Sequence, residues 1–360
     1  MSTTSASKAA LNKFQERFQK AFGEGTLQSA ADIPPYEVIP TGSLILDVAT
    51  GVGGYPLGRL IELWGIESGG KTTLTLIGLA EAQRKFPGKR TGFIDMEQTF
   101  DPTLAQGYGV DIEKLDVFRP QSAEDVADAM KMMLQSGFYS MIVLDSIGAM
   151  IPEAEKEKDA DEAVVALQAK IVTRMVKIAA VEATRSGTVV LLINQVRANV
   201  GGYGADTTTG GGWALRHVTT LKLKVKRTGT ALYKVKIAGE DHLVGQEIAI
   251  EIEKNKVAPP KRTATINLMI QDSERYGPKG IDKADEATTL GLKFGGITQS
   301  GGWYVIDQTG EKVNGRDKVV ESLRSTPEIV ESIRQGALAS LRGEIVTGKD
   351  AEVEIPEDEG

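Results

Sequence analysis

Apolar positions along this chain change period several times, and each change marks an element. Leu11, Phe14, Phe18, Ala21 and Phe22 recur at three- and four-residue spacing, so the chain opens with an amphipathic helix that Gly23 and Gly25 stop. Ile33-Pro34-Pro35 reads as a linker. A one-helix arm ahead of a linker has no core of its own; it must pack on the main domain or on another protein, a neighbouring copy being one option. From Ile39 to about Ile270 short apolar runs alternate with amphipathic stretches. Arg59–Trp64, Thr91–Asp95, Met141–Asp145 and Thr188–Ile193 read as buried strands, with helices over Thr72–Arg84, Ala123–Ser136 and Leu167–Arg185 between them. That alternation predicts a mostly parallel sheet covered on both faces, with its chemistry at the carboxyl ends of the strands. Leu221–Ile270 favours further strands that extend the sheet, and a small α/β lobe is expected after Tyr276, ending near Leu341. The residues after Gly343 are acidic, poor in apolar side chains and broken by Pro356, so disorder is expected there. The domain expectation is therefore an arm and linker over 1–36, a core over 37–272, a lobe over 273–342 and a tail over 343–360.

Composition removes several chemistries. The chain has no cysteine, which excludes disulfides, thiolate nucleophiles and Cys-ligated metals, and His217 and His242 are too few for a multi-histidine cage. Hard cations on carboxylates and phosphates stay open. No run of eighteen apolar residues occurs and Met1–Ala10 lacks an apolar signal core, so no membrane partner is expected and the cytoplasm is the expected compartment. A net charge of −7 argues against a nucleic-acid partner until its distribution is read. From Glu344 onward seven acids face one base, so that stretch carries −6 of the total. Between Arg216 and Lys236 seven bases occur with no acid, so the chain is basic in its middle and acidic at its end.

Against that frame stands one specific motif. Gly65-Ile66-Glu67-Ser68-Gly69-Gly70-Lys71-Thr72-Thr73 fits G-x-x-x-x-G-K-[ST], after a strand and before a helix. The glycines let the backbone wrap a phosphate with its N–H groups inward, and the following helix aims its amides at the same anion. Lys71 should reach the outer phosphates and the Thr72 hydroxyl should ligate Mg²⁺, so ATP with Mg²⁺ is the expected ligand pair. Asp145, ending an apolar strand, is the choice for the magnesium side; a helix N-cap is its structural alternative. Glu97 is placed to act as general base on water, with Asp95 as its competitor two residues away. A strand ends in Asn194-Gln195, where an amide can sense a γ-phosphate and pass the difference to the glycine-rich 201–212 segment.

At this point the chain resembles the RecA family of DNA strand-exchange recombinases, from about Ala9 to about Leu341. Thr41-Gly-Ser43, Leu46-Asp47 and Gly53-Gly54 resemble the family's lead-in, Phe93–Pro102 its catalytic segment, Val143–Ser146 its magnesium strand and Ile193–Arg197 its sensor. Thr207–Gly212 with Ala214-Leu215 looks like the end of its second DNA-binding loop; Lys254-Asn-Lys256 and Gly302-Trp-Tyr304 also match. The resemblance implies a RecA-like P-loop NTPase core with an N-terminal polymerisation arm. It implies Glu97 as catalytic base, Gln195 as γ-phosphate sensor, and Asp101 and Tyr276 near adenine. Lys254 and Lys256 would reach the ATP of a neighbouring subunit as finger-like cations. Single- and double-stranded DNA would bind along a helical homo-oligomer through two loops, roughly Glu155–Ala166 and Arg197–Gly212. Lys170, Thr173, Lys177, Arg197, Asn199, Gly211 and Gly212 would lie along the DNA, and Val165 and Val200 would wedge between bases, with base pairing supplying the specificity. The implied setting is recombination, repair and the SOS response, with single-strand-binding protein, loader proteins and a repressor as further partners.

Some positions depart from the family. The first loop, Lys156–Ala163, lacks the usual glycines and reads equally as a charged helix. Lys170 stands for an arginine, Leu104 for an aromatic beside adenine, and His217 for a phenylalanine at the subunit interface. The Arg216–Lys236 run is either a solvated strand face or a secondary DNA surface. A P-loop kinase, an ATP-gated scaffold and a hexameric helicase are the competing functions. The glycine-rich loop after Gln195 with the Lys254/Lys256 pair opposes the first, intact Lys71, Glu97 and Asp145 the second, and the lack of a separate helicase or primase-binding domain the third.

Overall fold

The computed structural model describes residues 5–23, 27, 29–67, 69–155, 162–198, 207–209, 212–237 and 239–343. The expected acidic tail lies outside the described residues. The chain divides into two units, 1–37 and 38–360. In the first, α1 (Ser5–Phe22) starts six residues before the sequence pattern does. Phe14, Phe18 and Phe22 follow one another along it with ring centroids 5.8 and 4.6 Å apart, and Phe14 and Phe22 stay exposed.

The second unit begins with β1 (Val38–Ile39), α2 (Leu44–Thr50), β2 (Tyr55–Pro56), β3 (Leu60–Gly65), α3 (Lys71–Lys85) and β4 (Arg90–Asp95). Next come α4 (Pro102–Gly107), β5 (Leu115–Phe118), α5 (Ala123–Ser136), β6 (Tyr139–Asp145), α6 (Glu162–Ser186), β7 (Val189–Ala198) and β8 (Thr207–Thr209). Then follow α7 (Gly212–Val218), β9 (Leu221–Ile237), β10 (Glu240–Asn255) and β11 (Thr263–Met269). The C-terminal elements are α8 (Lys283–Phe294), β12 (Ile297–Ser300), β13 (Trp303–Ile306), β14 (Glu311–Asn314), α9 (Arg316–Arg324) and α10 (Pro327–Arg342). The main sheet runs β11-β10-β9-β3-β7-β6-β4-β5. It is parallel from β9 to β5 and antiparallel where β9, β10 and β11 extend it.

The expected α/β architecture is thus present, with β3 at its middle. Every residue of β3 is buried, and all but the first of β6, because helices cover both faces. Alternate residues serve two cores. Ile61, Leu63, Phe93, Val143, Leu191 and Ile193 pack toward α2 and α3, while Leu60, Ile94, Leu144, Val190 and Leu192 pack toward α5 and α6. A third core joins α8, α9, α10 and β12–β13 to Leu44 and Val48 of α2. Among the described residues no helix is long and apolar enough to cross a membrane.

Two boundaries differ from the sequence reading. β7 runs on to Ala198, so Asn194 and Gln195 lie inside the strand rather than at its end. Backbone pairing explains this: Trp64 opposes Asn194 and Gly65 opposes Gln195, which carries the ladder past the apolar run. α6 begins at Glu162, so the last part of the expected loop Glu155–Ala166, Val165 included, is helical. Lys170, Thr173 and Lys177 share one face of α6, opposite buried Val172, Met175, Val176 and Ala179.

Candidate nucleotide site

The site is assembled where β3, β4, β6 and β7 end. Between β3 and α3 the chain turns through Gly65, with φ 152° and no room for a side chain, since a Cβ there would lie 2.0 Å from the Val225 carbonyl. Gly70 precedes α3 in the left-handed region, φ 94°, and α3 has no side-chain cap. The first amides of this fifteen-residue helix therefore have no capping side-chain oxygen, which leaves an anion-ready terminus. Lys71 folds back over the loop and its Nζ donates to the Gly65 carbonyl at 2.9 Å and the Ile66 carbonyl at 2.7 Å. Burial lowers its pKa, against the raising pull of Asp145, Glu97 and Glu67. Thr72 is exposed and its hydroxyl donates to Asp145 Oδ2 at 3.2 Å. Thr73 meets the Tyr108 hydroxyl, a contact sequence reading missed.

Asp145 is buried, and burial together with Glu97 raises its pKa to about 6, with the Thr72 hydroxyl pulling the other way. It does not cap a helix; Ser146 holds that place for a single turn at Ile147–Ala149. Ser146 instead donates its hydroxyl to Glu97 Oε1 at 2.5 Å. Gln195 Nε2 donates to the same oxygen at 2.7 Å. The Met96 and Glu97 amides both donate to the Asp145 carbonyl, at 2.8 and 3.3 Å, which ties the end of β4 to the end of β6. Thr72, Asp145, Ser146, Glu97 and Gln195 thus form one hydrogen-bonded cluster, and Asp145 and Glu97 act on Lys71 through their charge. Asp95 is separate: it is fully buried and accepts from the amides of Thr99 and Phe100, both at 3.1 Å, and from Arg119 Nε at 3.3 Å. Its oxygens shape the turn after β4.

Asp101 and Tyr276 are engaged apart. Asp101 caps α4, accepting from the amides of Thr103 at 2.7 Å and Leu104 at 3.1 Å. The Tyr276 ring lies 5.0 Å from that of Tyr233, with the Arg275 guanidinium 5.1 Å above it. The 270–280 excursion reaches α4 through Lys279, whose Nζ stands 4.5 Å from the Tyr108 ring centroid and crowds Gly107.

Lys254 and Lys256 stand on the β9–β10 extension. Lys254 Nζ donates to the carbonyls of Arg216 and, at 3.4 Å, His217; Lys256 Nζ donates to the His217 carbonyl at 2.5 Å. Both cations thus sit at the C-terminal end of α7, where the helix dipole favours positive charge. Burial and the adjacent Lys256 lower the Lys254 pKa to about 8. Ser68, Asn199, Val200 and Gly211 lie outside the described residues, and for Val165, Arg197 and Gly212 only the backbone is described.

A second polar cluster adjoins the first and was not foreseen. Glu62, wholly buried, accepts from Asn194 Nδ2 at 2.9 Å, and the Asn194 side-chain carbonyl accepts the Gln195 amide at 3.0 Å. Glu62 Oε2 has no hydrogen-bond donor but lies 3.8 Å from Lys222 Nζ, which is also 3.6 Å from Glu253 Oε2. The Trp64 indole N–H donates to that same Glu253 oxygen at 2.9 Å. Desolvation raises the Glu62 pKa against the lowering pull of Lys222. Alternation does signal these residues, since Glu62 and Lys222 are charges inside apolar strands.

A family model for the RecA N-terminal domain matches residues 8–274. Protein RecA of Thermotoga neapolitana is 39% identical over 336 residues, covering 91% of this chain and 92% of that protein. Protein RecA of Thermus thermophilus is 36% identical over 340 residues, covering 94% and 95%. Protein RecA of Acholeplasma laidlawii is 36% identical over 330 residues, covering 91% and 95%.

Proposed function

This chain belongs to the RecA family of recombinases, and from that premise we propose that it assembles as a helical filament on single-stranded DNA, hydrolyses ATP in response to that DNA, and pairs and exchanges homologous strands. The observation that carries the reading is the convergence of four strand ends: Thr72 bonds Asp145, and Ser146 and Gln195 bond Glu97, all at 2.5–3.2 Å, and Lys71 lies within the electrostatic pull of Asp145 and Glu97.

The donor set fits a magnesium nucleotide. One carboxylate and one hydroxyl, rather than a protein cage, is what a magnesium ion shared with phosphates requires; among the described residues no group of three or more acids or histidines suits a metal. A cation held by Asp145 and Thr72 would neutralise charge on the β- and γ-phosphate oxygens. The α3 amides and Lys71 bind the phosphate chain, and Lys71 exchanges its loop carbonyls for phosphate oxygens. Glu97 takes a proton from the attacking water. Ser146 and Gln195 both bond Oε1, so Oε2 is the oxygen left to accept it. Gln195 has one amide N–H near the site committed to Glu97. A γ-phosphate that draws this amide away shifts the end of β7, and residues 196–209 follow from it directly. That links nucleotide state to DNA contact by Lys170, Thr173 and Lys177 on α6 and by the 197–212 segment.

Lys254 and Lys256 exceed the needs of their own site and serve the nucleotide of a neighbouring copy, with α1 as the arm that docks the copies. The test is ATP turnover with and without homopolymer single-stranded DNA, alongside Glu97→Gln. Strong stimulation by DNA that Glu97→Gln removes supports the recombinase; turnover indifferent to DNA moves a kinase or scaffold ahead. Truncation at Gly343 tests the tail: removal should strengthen duplex binding and steepen its salt dependence.

A further inference from the structure

The side-chain phase of β10 changes at one residue. Ile248, Ile250 and Ile252 face the core under α2 and α3. Strict alternation would send Lys254 and Lys256 to that same apolar side. The ladder with β9 prevents it. Ile252 opposes Leu223 and Lys254 opposes Lys222, so Glu253 is an extra residue with no partner of its own, a β-bulge. Beyond it Lys254 shares the face of its partner Lys222, the side on which α7 packs through Leu215. The bulge therefore turns both lysines toward the α7 carbonyls and the outside.

The Glu253 side chain ties the bulge to β3 and β9. Its Oε2 takes the Trp64 indole N–H at 2.9 Å and faces Lys222 at 3.6 Å. Trp64 is itself clamped, with Lys222 and Lys224 ammonium groups 4.7 and 4.8 Å from its ring. Trp64 adjoins Gly65, the first residue of the phosphate loop, so the anchor of the bulge is the strand that carries the nucleotide. A buried ion network costs desolvation and is a weak source of stability, so its use is better sought in geometry.

We infer that Glu253 is a positioning residue: by stapling the β10 bulge to Trp64 and Lys222 it aims Lys254 and Lys256 at the phosphates held by a second copy of this chain. The inference rests on the reading of Lys254 as a cation that acts across the subunit boundary. It also makes aim depend on β3, so one subunit's loop and the cations it lends its neighbour share a single support.

Full-length Glu253→Ala, Trp64→Phe, Glu253→Gln and Lys254→Ala are compared with the parent for ATP affinity without DNA, turnover on saturating single-stranded DNA, and thermal midpoint. Glu253→Ala and Trp64→Phe should lower DNA-dependent turnover roughly ten- to hundredfold, the scale of a misplaced catalytic group. ATP affinity and thermal midpoint should stay near parental values. Glu253→Gln keeps an acceptor for the indole N–H and should recover most of the rate. Mixing Glu253→Ala chains with Lys71→Ala chains, which carry correctly aimed lysines, should raise turnover per competent site. Parental turnover in Glu253→Ala while Lys254→Ala is impaired overturns the inference alone. Parental turnover in Lys254→Ala overturns the reading of Lys254 and the inference with it. Loss of affinity and midpoint in step with rate marks Glu253 as merely structural and overturns the inference too.

Discussion

Two sets of lysine bonds divide this molecule. Lys71 donates to carbonyls of the loop that precedes it, Gly65 and Ile66; Lys254 and Lys256 donate to carbonyls at the end of α7. In each place burial lowers a lysine pKa. The first lysine is buried at the middle of the sheet, under the electrostatic pull of Asp145, Glu97 and Glu67. The other two stand on the antiparallel extension, partly exposed, with no carboxylate of the nucleotide cluster among their hydrogen-bond partners. A helix end holds a cation weakly, by about 0.3–1 kcal/mol at an exposed site. Under the proposed function the phosphate loop serves its own chain, whereas the lysine pair exchanges its helix-end carbonyls for an anion that another copy supplies.

The largest effect comes from breaking the enclosed half. Glu97→Gln keeps the bonds from Ser146 and Gln195 within geometric reach but cannot take a proton, so turnover should fall about 10³-fold while ATP still binds and filaments still form. Steady-state hydrolysis alongside filament imaging checks both parts. Breaking the outer half is next. Lys254→Ala should lower turnover on the order of 10²-fold through lost charge stabilisation, and unlike Glu97→Gln it should also weaken ATP-dependent assembly. Equal loss of assembly in the two variants would erase the distinction between the halves.

A pH profile sharpens the same distinction. The Lys254 pKa is lowered to about 8, so its cation is lost as pH rises through 8. Because kcat/KM reports the free protein, it should fall about tenfold per unit above that point, whereas kcat, which reports Lys254 already paired with phosphate, should turn down at higher pH. Lys254→Arg stays charged throughout and should flatten the first limb, though its planar fork lowers the maximum. Nucleotide affinity without DNA should not follow this limb.

Much of the enclosed half was legible because each piece is local in sequence. The loop motif, the acid ending an apolar strand at Asp145 and the helix after Gly70 all follow from spacing. The outer half was not. Lys254 and Lys256 were singled out by the resemblance alone, and nothing in the spacing reveals that Glu253 shifts the phase between Ile252 and Lys254. A bulge is set by partners on another strand, and here those partners, Lys222 and Trp64, are 31 and 189 residues away in sequence. The same holds at Glu97: spacing left Asp95 as its competitor, and only the structure shows Arg119 and two amides taking up Asp95. Gln195 was read at the end of its strand, and the strand runs on to Ala198 because the hydrogen-bond ladder outlasts the apolar run.

The smallest effect tests whether buried charge matters where no nucleotide is near. Glu286 of α8 is buried and accepts the Ser43 hydroxyl at 2.7 Å and the Leu44 amide at 2.6 Å, gripping the start of α2. Asp47 of α2 is buried beside it, accepts the Thr41 amide at 2.7 Å, and faces Arg334 at 3.6 Å and Glu81 more distantly. Burial raises Glu286 to about 8 and Asp47 to about 7, outweighing their hydrogen bonds and Arg334. Both shifts are upward, so from about pH 4 the unfolded chain loses protons that the native chain keeps, and stability falls as pH rises toward 8. Glu286→Gln cannot ionise and still offers an oxygen to the Leu44 amide. Its thermal midpoint should therefore drop by fewer degrees between pH 5 and 8.5 than the parent's, with DNA-dependent turnover at pH 7 unchanged. A turnover loss in this variant would mean that the α2–α8 junction feeds the nucleotide site, and the division between an enclosed half and an outer half would have to be redrawn around it.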